Sequence, residues 1–182
     1  MIRESVLDDL KREHEAVLAE LRALIEEVER VEEGSAELTP EALEACRERV
    51  RSLRKTFVVH RCREEVGLFP DVEQIVSQGA PRVDILWTFF AGEADDDIAA
   101  HVAIEERLKE IDALLERLPE GEEVGAALGD TARAMADLLT RHAVKEDTEV
   151  FPMMVRVLSE DQLAEVAKRM AELCETAAEA EK

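Results

Sequence analysis

The chain contains no tyrosine, and phenylalanine and tryptophan together supply only 3% of its 182 residues. No tyrosine can therefore act as a ligand or a radical, and any core must be built from aliphatic side chains. Glycine (7) and proline (5) are scarce and β-hairpin turn signals are few. That profile, with Ala, Glu, Leu, Arg and Val dominant, favours long helices over sheet. The three cysteines show no pairing pattern, which argues against a secreted disulfide scaffold. No apolar run approaches the ~18 residues of a membrane span. The opening MIRESVLDDLKREHE is charged from its start, unlike a signal peptide, so the expected location is the cytoplasm. Positive charge is also in short supply: 23 Lys and Arg against 44 Asp and Glu leave a formal net charge of -21. So acidic a chain repels phosphate backbones and attracts cations weakly, which excludes nucleic acid from the expected partners.

What is present is helical periodicity. From about residue 4 to 33, Leu7, Leu10, His14, Val17, Leu21, Leu24, Val28 and Val31 step by three and four, and Gly34 ends the run. Thr39 and Pro40 open a second helix as N-cap and first helical residue, with the stripe Leu43, Cys46, Val50, Leu53, Phe57, His60 and Glu64. Phe69-Pro70 predicts a break. One or two short helices follow around Gly79-Ala80-Pro81, carrying Trp87, Phe89 and Phe90. A third long helix is expected over about 93–118, with Ile98, His101, Glu105, Leu108 and Leu115 in line, and Pro119-Glu120-Gly121 as the turn after it. A fourth begins near Glu122, carries Val124, Leu128, Thr131, Met135, Leu138, His142 and Glu146, and is expected to break near Phe151-Pro152. Ser159 caps a last helix from Glu160 to about Ala178, with Leu163, Val166, Met170 and Leu173 inward; it serves as a cover over the bundle end or a dimer surface.

An internal repeat carries the chemistry. His60-Arg-Cys-Arg-Glu64-Glu-Val-Gly-Leu-Phe69-Pro70 matches His142-Ala-Val-Lys-Glu146-Asp-Thr-Glu-Val-Phe151-Pro152, and each copy follows a helix with one inward histidine, His14 or His101. The chain has four histidines in all, and each falls on the apolar stripe of a different long helix. Residues four apart share a helix face, so His60 with Glu64 and His142 with Glu146 aim two ligands at one spot. A carboxylate in an apolar core must be protonated, paired or bound to a cation. Four imidazoles and two carboxylates meeting there point to metal. Imidazole and carboxylate without thiolate suit iron or manganese, with zinc possible by affinity. Cys46 lies roughly 20 Å along its helix from His60, Cys62 is on another face and Cys174 is in the last helix. Glu15, Glu65, Glu106 and Asp147 adjoin the ligands in sequence and so point elsewhere on their helices. The Glu-x-x-His pattern of ferritin-like bundles is missing.

This order, His then His-x-x-x-Glu, twice, with Phe-Pro after each pair, resembles the hemerythrin-like (HHE cation-binding) domain family over about residues 5–155. The resemblance implies two non-haem iron ions in an up-down-up-down bundle. Glu64 and Glu146 would bridge them, His14, His60, His101 and His142 would be terminal ligands, and an oxo or hydroxo group would complete the bridge. Oxygen-carrying hemerythrins have His-x-x-x-His on the third helix, where this chain reads His101-Val-Ala-Ile-Glu105. Glu105 stands at the fifth histidine position, as a seventh ligand, a partner of a ligand, or a neighbour of an open coordination position. An anionic oxygen there favours ferric iron and tilts the expectation from oxygen carriage towards oxidation of iron or peroxide.

The expected fold is thus all-α: one domain over 1–182, an antiparallel up-down-up-down four-helix bundle over about 5–155, an extra helical segment before the third helix and a fifth helix over about 159–180. The expected function is that of a di-iron protein that binds or reacts with O2, NO, peroxide or iron, as monomer or homodimer, with manganese or zinc ranking below iron. Catalase-like or ferroxidase activity is one form of it. The alternatives are reversible O2 binding or sensing without catalysis, and a metal-free structural bundle whose carboxyls are neutral and hydrogen-bonded to imidazoles.

Overall fold

A computed structural model describes residues 2–32, 39–77 and 83–180. The described residues form seven α-helices: α1 (Ile2–Glu32), α2 (Pro40–Cys62), α3 (Phe69–Ser77), α4 (Val83–Arg117), α5 (Glu122–Lys145), α6 (Phe151–Val157) and α7 (Glu160–Ala180). Among the described residues there is no strand. None of the described helices is long and apolar enough to cross a membrane. The expected stop at Gly34 and the turn at Gly79-Ala80-Pro81 fall outside the described residues, as do the side chains of Trp87, Phe89, Phe90, Leu173 and Cys174.

The caps follow local chemistry. Thr39 Oγ1 accepts from the Ala42 amide at 3.2 Å, with Pro40 as the first helical residue. Ser159 and Gln162 cap α7 reciprocally: Ser159 N–H donates to Gln162 Oε1 at 2.8 Å and Gln162 N–H to Ser159 Oγ at 3.3 Å. Between α4 and α5 a single 3-10 turn (Leu118–Glu120) leads to Gly121 at φ 132°, a conformation closed to residues with a Cβ.

Two expected breaks are not breaks. After Cys62 the chain widens into a π-turn (Arg63–Leu68) and re-enters α-geometry at Phe69; after Lys145 it does the same over Glu146–Val150 and resumes at Phe151. In each turn the phenylalanine N–H reaches five residues back, Phe69 to the Glu64 carbonyl and Phe151 to the Glu146 carbonyl. Pro70 and Pro152 then sit in the first turn of a restarted helix, where a ring without an N–H is tolerated. The helical segment expected before the third helix is likewise divided, α3 continuing the second helix and the third beginning already at Val83.

The four long helices pack as a ring in which α1 lies between α2 and α5, and α4 between the same two, so sequence neighbours are antiparallel and α1 faces α4 across the core. The larger core cluster occupies the far end of the bundle, from Val17 to Val28 on α1, Leu43 to Phe57 on α2, Ile104 to Leu115 on α4 and Leu128 to Leu139 on α5. A smaller cluster joins Leu7 and Leu10 to Leu68, Phe69, Val150, Phe151 and the inner face of α7. Helix α7 therefore covers the bundle end, packing on the first π-turn, α1 and α2. Between the two clusters lies a polar layer.

On α4 the buried stripe runs through Asp97, His101, Ile104, Leu108, Ile111 and Leu115. This corrects the expected line: Ile98 is 41% exposed and Glu105 stands beside the stripe, with Asp97 and Ile104 in their places. On α5, Leu139 takes the core position expected of Leu138, which is partly buried.

Candidate metal centre

The polar layer holds His14 from α1, His60 from α2, Glu64 from the first π-turn, His101 from α4, His142 from α5 and Glu146 from the second π-turn, all buried. Their ligand atoms form two overlapping groups, each within 4.8 Å: His14, His60, His142 and Glu146, and His60, Glu64, His101 and His142. Four imidazoles turn Nε2 towards one another, at 3.1 Å for His14 with His60 and 3.1 Å for His101 with His142. Glu64 Oε2 lies 3.2 Å from both His60 Nε2 and His101 Nε2. Glu146 Oε2 lies 2.9 Å from His14 Nε2 and 3.5 Å from His142 Nε2. Each glutamate thus sits between its own i−4 histidine and the first histidine of the other hairpin. These approaches are off the line of a hydrogen bond, and none of the four oxygens of Glu64 and Glu146 meets a donor among the described residues.

Orphaned carboxylate oxygens in a core are costly unless a cation takes the place of donors. The four Nε2 atoms, paired two and two at hydrogen-bond distance, are also the atoms that a cation would take as ligands. The donor set, imidazole and carboxylate without thiolate, fits a first-row transition metal. Cys46 is buried in the far core and Cys62 is partly buried outside both groups.

Electrostatics divide the layer. Burial would lower the His60 imidazole, but the Glu64 charge and the contacts with Glu13 and Glu64 outweigh it and raise it to about 10. Burial is likewise overcome at His101, which Glu64 and Glu65 raise, and at Glu64, which His60 and His101 hold well below the usual carboxylate range. Burial lowers His14 to about 4, aided by the neighbouring His60 charge. Burial and the Glu64 charge push Glu146 well up. The layer thus favours the charged forms at Glu64, His60 and His101, and burial favours the neutral forms at His14 and Glu146.

The structure does not bring Glu105 into either group. Its side chain is 38% exposed and pairs with Arg61 and, at 3.0 Å, with Lys109, which hold its carboxyl below the usual range. Four other acids, not singled out by the periodic pattern, face the outer nitrogens of the histidines instead: Glu65 at His101 Nδ1 (2.9 Å), Glu13 at His60 Nδ1 (3.3 Å), Asp97 at His142 Nδ1 (3.6 Å) and Asp147 at His14 Nδ1 (3.8 Å). Adjacency to a ligand did turn Glu65 and Asp147 away from the centre of the layer, but towards a histidine of the other hairpin. Asp97 had a signal in the sequence, the 97, 101, 104, 108 spacing. Rings pack the layer from both sides, Phe151 stacked on His14 at 6.4 Å and Phe57 edge-on to His101 at 5.7 Å.

The hemerythrin HHE cation binding domain matches residues 5–89 and 95–180. The chain belongs to that family. The match takes in both hairpins and also α7, beyond the reach of the residues 5–155 that carry the motif resemblance. No curated protein matches the chain at a significant level. As a hemerythrin HHE domain it carries its buried His and Glu cluster as a metal-binding site, with the two repeats contributing three of the six residues each.

Proposed function

We propose that the protein is a non-haem di-iron protein, with His14, His60, Glu64, His101, His142 and Glu146 as ligands, that binds or reacts with O2, NO or peroxide in an oxidative or iron-stress role. The observation that carries this reading is the pair of overlapping four-residue groups, sharing His60 and His142, around two buried carboxylates with no hydrogen-bond donor among the described residues. Iron held there would supply the electrons to bind or reduce a small oxidant. The chain's part is to hold and orient the ligands, to exclude water through Phe57, Phe151 and the two apolar clusters, and to turn each imidazole's Nε2 inward. Six ligands shared by two ions leave coordination positions for a small molecule. Residues 1–182 acting as one domain, in the cytoplasm, belong to the same reading.

Reversible O2 binding without turnover stands beside the enzymatic reading. The pairing of Glu105 with Arg61 and Lys109 supports this second reading, since an anionic seventh ligand would favour ferric chemistry. The test is metal content per chain with an ultraviolet-visible spectrum on protein produced in ample iron. Two irons with charge-transfer bands are expected. A form whose colour reverses on removing O2 would mark a carrier, and turnover of peroxide or Fe(II) an enzyme. One metal, zinc or none after fair loading would overturn the di-iron reading.

A further inference from the structure

His14, His60, Glu64, His101, His142 and Glu146 are each 4% exposed or less, so a small molecule reaches them only by crossing the side chains around them. On one side those side chains border an open groove of about 450 Å3 between α1 and α6. Helix α1 lines it with Leu7, Asp8 and Lys11, and α6 with Phe151, Val155 and Arg156. Phe151 is only 1% exposed and yet belongs to this lining, which makes it the floor of the groove. The same ring lies nearly parallel to the His14 imidazole, at 7° and 6.4 Å between centroids. His14 Nε2 in turn stands 3.1 Å from His60 Nε2 and 2.9 Å from Glu146 Oε2. Two rings, Phe151 and His14, thus span the distance from the groove to the ligand atoms.

The other phenylalanine against the layer is placed differently. Phe57 belongs to the larger apolar cluster, and the His101 ring that it meets edge-on is held at Nδ1 by Glu65, at 2.9 Å. His14 Nδ1 has no hydrogen bond among the described residues, and Asp147 Oδ1 stands 3.8 Å away. A ring in a packed interior moves only when its neighbours give way. His14 can give way to Phe151 without breaking a bond at Nδ1, whereas His101 cannot. A second groove, of about 290 Å3 between α3 and α7, has Ile75 and Val166 in its lining and no aromatic ring.

We infer that the groove between α1 and α6 is the entrance through which a small neutral molecule such as O2 or NO reaches the metal centre, with Phe151 as its gate. Leu7, Phe151 and Val155 give the groove an apolar wall. A neutral diatomic molecule passes such a wall at little cost, while an ion would have to shed its water. The closed ring keeps bulk water from the layer, and its brief displacement admits one small molecule. The inference rests on the proposed reading of the layer as an iron centre that takes up such a molecule.

An entrance governs how fast a ligand arrives and leaves, not how tightly it is held, because the free and bound states are the same by any route. The experiment follows NO association and dissociation by stopped-flow absorbance on the reduced, iron-loaded full chain without oxygen. Val155→Trp and Asp8→Trp, at positions of the groove wall that are not fully buried, should each slow both rates on the order of tenfold and leave the dissociation constant unchanged. Phe151→Leu should speed both rates. Ile75→Trp, in the groove between α3 and α7, should move neither. Iron content and melting temperature of each variant separate a folding defect from a blocked entrance. Rates unmoved in both Val155→Trp and Asp8→Trp, or slowed equally by Ile75→Trp, would overturn the inference alone. Wild-type protein that takes up no iron, or whose iron takes up no NO, would overturn the proposed centre and this inference with it.

Discussion

At the scale of single residues, the centre depends on groups that make sense only together. Glu64 and Glu146 are fully buried, and among the described residues neither has a hydrogen-bond donor to offset its burial. Their proposed role as ligands gives a prediction with two readouts. Glu64→Ala or Glu146→Ala should lose bound metal while far-ultraviolet circular dichroism still shows the helices, because the two apolar clusters on either side of the layer hold the bundle together. Unchanged metal stoichiometry in both variants would defeat their assignment. All six proposed ligands were legible as residues standing where leucine belongs on a stripe. Glu105 shows the limit of that signal. It and Ile104 are one position apart, and a 3.6-residue period sampled through His101 admits both i+3 and i+4. Packing against α2 and α5 chooses Ile104 and leaves Glu105 to Arg61 and Lys109. The acids behind the histidines were not legible as partners, because each reaches across to a neighbouring helix.

At the scale of elements, the two π-turns are the main departure from what periodicity implied. Each starts at or one residue before a glutamate of the polar layer and ends two residues before a proline. The widened turn lets the helix pass a residue that would otherwise stop it, so Phe69 and Phe151 continue into the apolar cluster beneath the site. The consequence is a sign. If the prolines sit without strain, Pro70→Ala and Pro152→Ala should each destabilise slightly, by about 0.4–1 kcal/mol, through a freer unfolded chain. Prolines strained in a helix interior would instead cost about 3 kcal/mol, and alanine would then stabilise by a similar amount. Denaturant midpoints of the two variants distinguish the cases. A dipeptide pattern reads Phe-Pro as a stop because it cannot register a five-residue hydrogen bond upstream of the ring.

At the scale of the whole molecule, two apolar clusters clamp a polar layer inside a surface of strongly negative charge. The net charge of -21 opposes compaction at long range, while the helix-surface ion pairs act only locally. Raising ionic strength from about 0.01 M to about 1 M shortens the screening length from about 30 Å to about 3 Å. The metal-free protein should therefore melt higher in salt, at about 2–4 °C for each kcal/mol of repulsion relieved. A melting temperature that falls with salt would mean that the surface ion pairs outweigh the repulsion. By itself the sequence determined the long helices, the inward stripe of α2, the caps at Thr39 and Ser159, and the inward place of four histidines and two glutamates, because these follow from spacing along one helix at a time. Only the tertiary structure decided which face of α4 is buried, that α7 covers the bundle end, and that Glu13 and Glu65 reach a histidine while Asp97 and Asp147 fall short. Those outcomes are distances between helices, set by how the ring of four packs, and a difference of one methylene or a fraction of a turn is enough to change them.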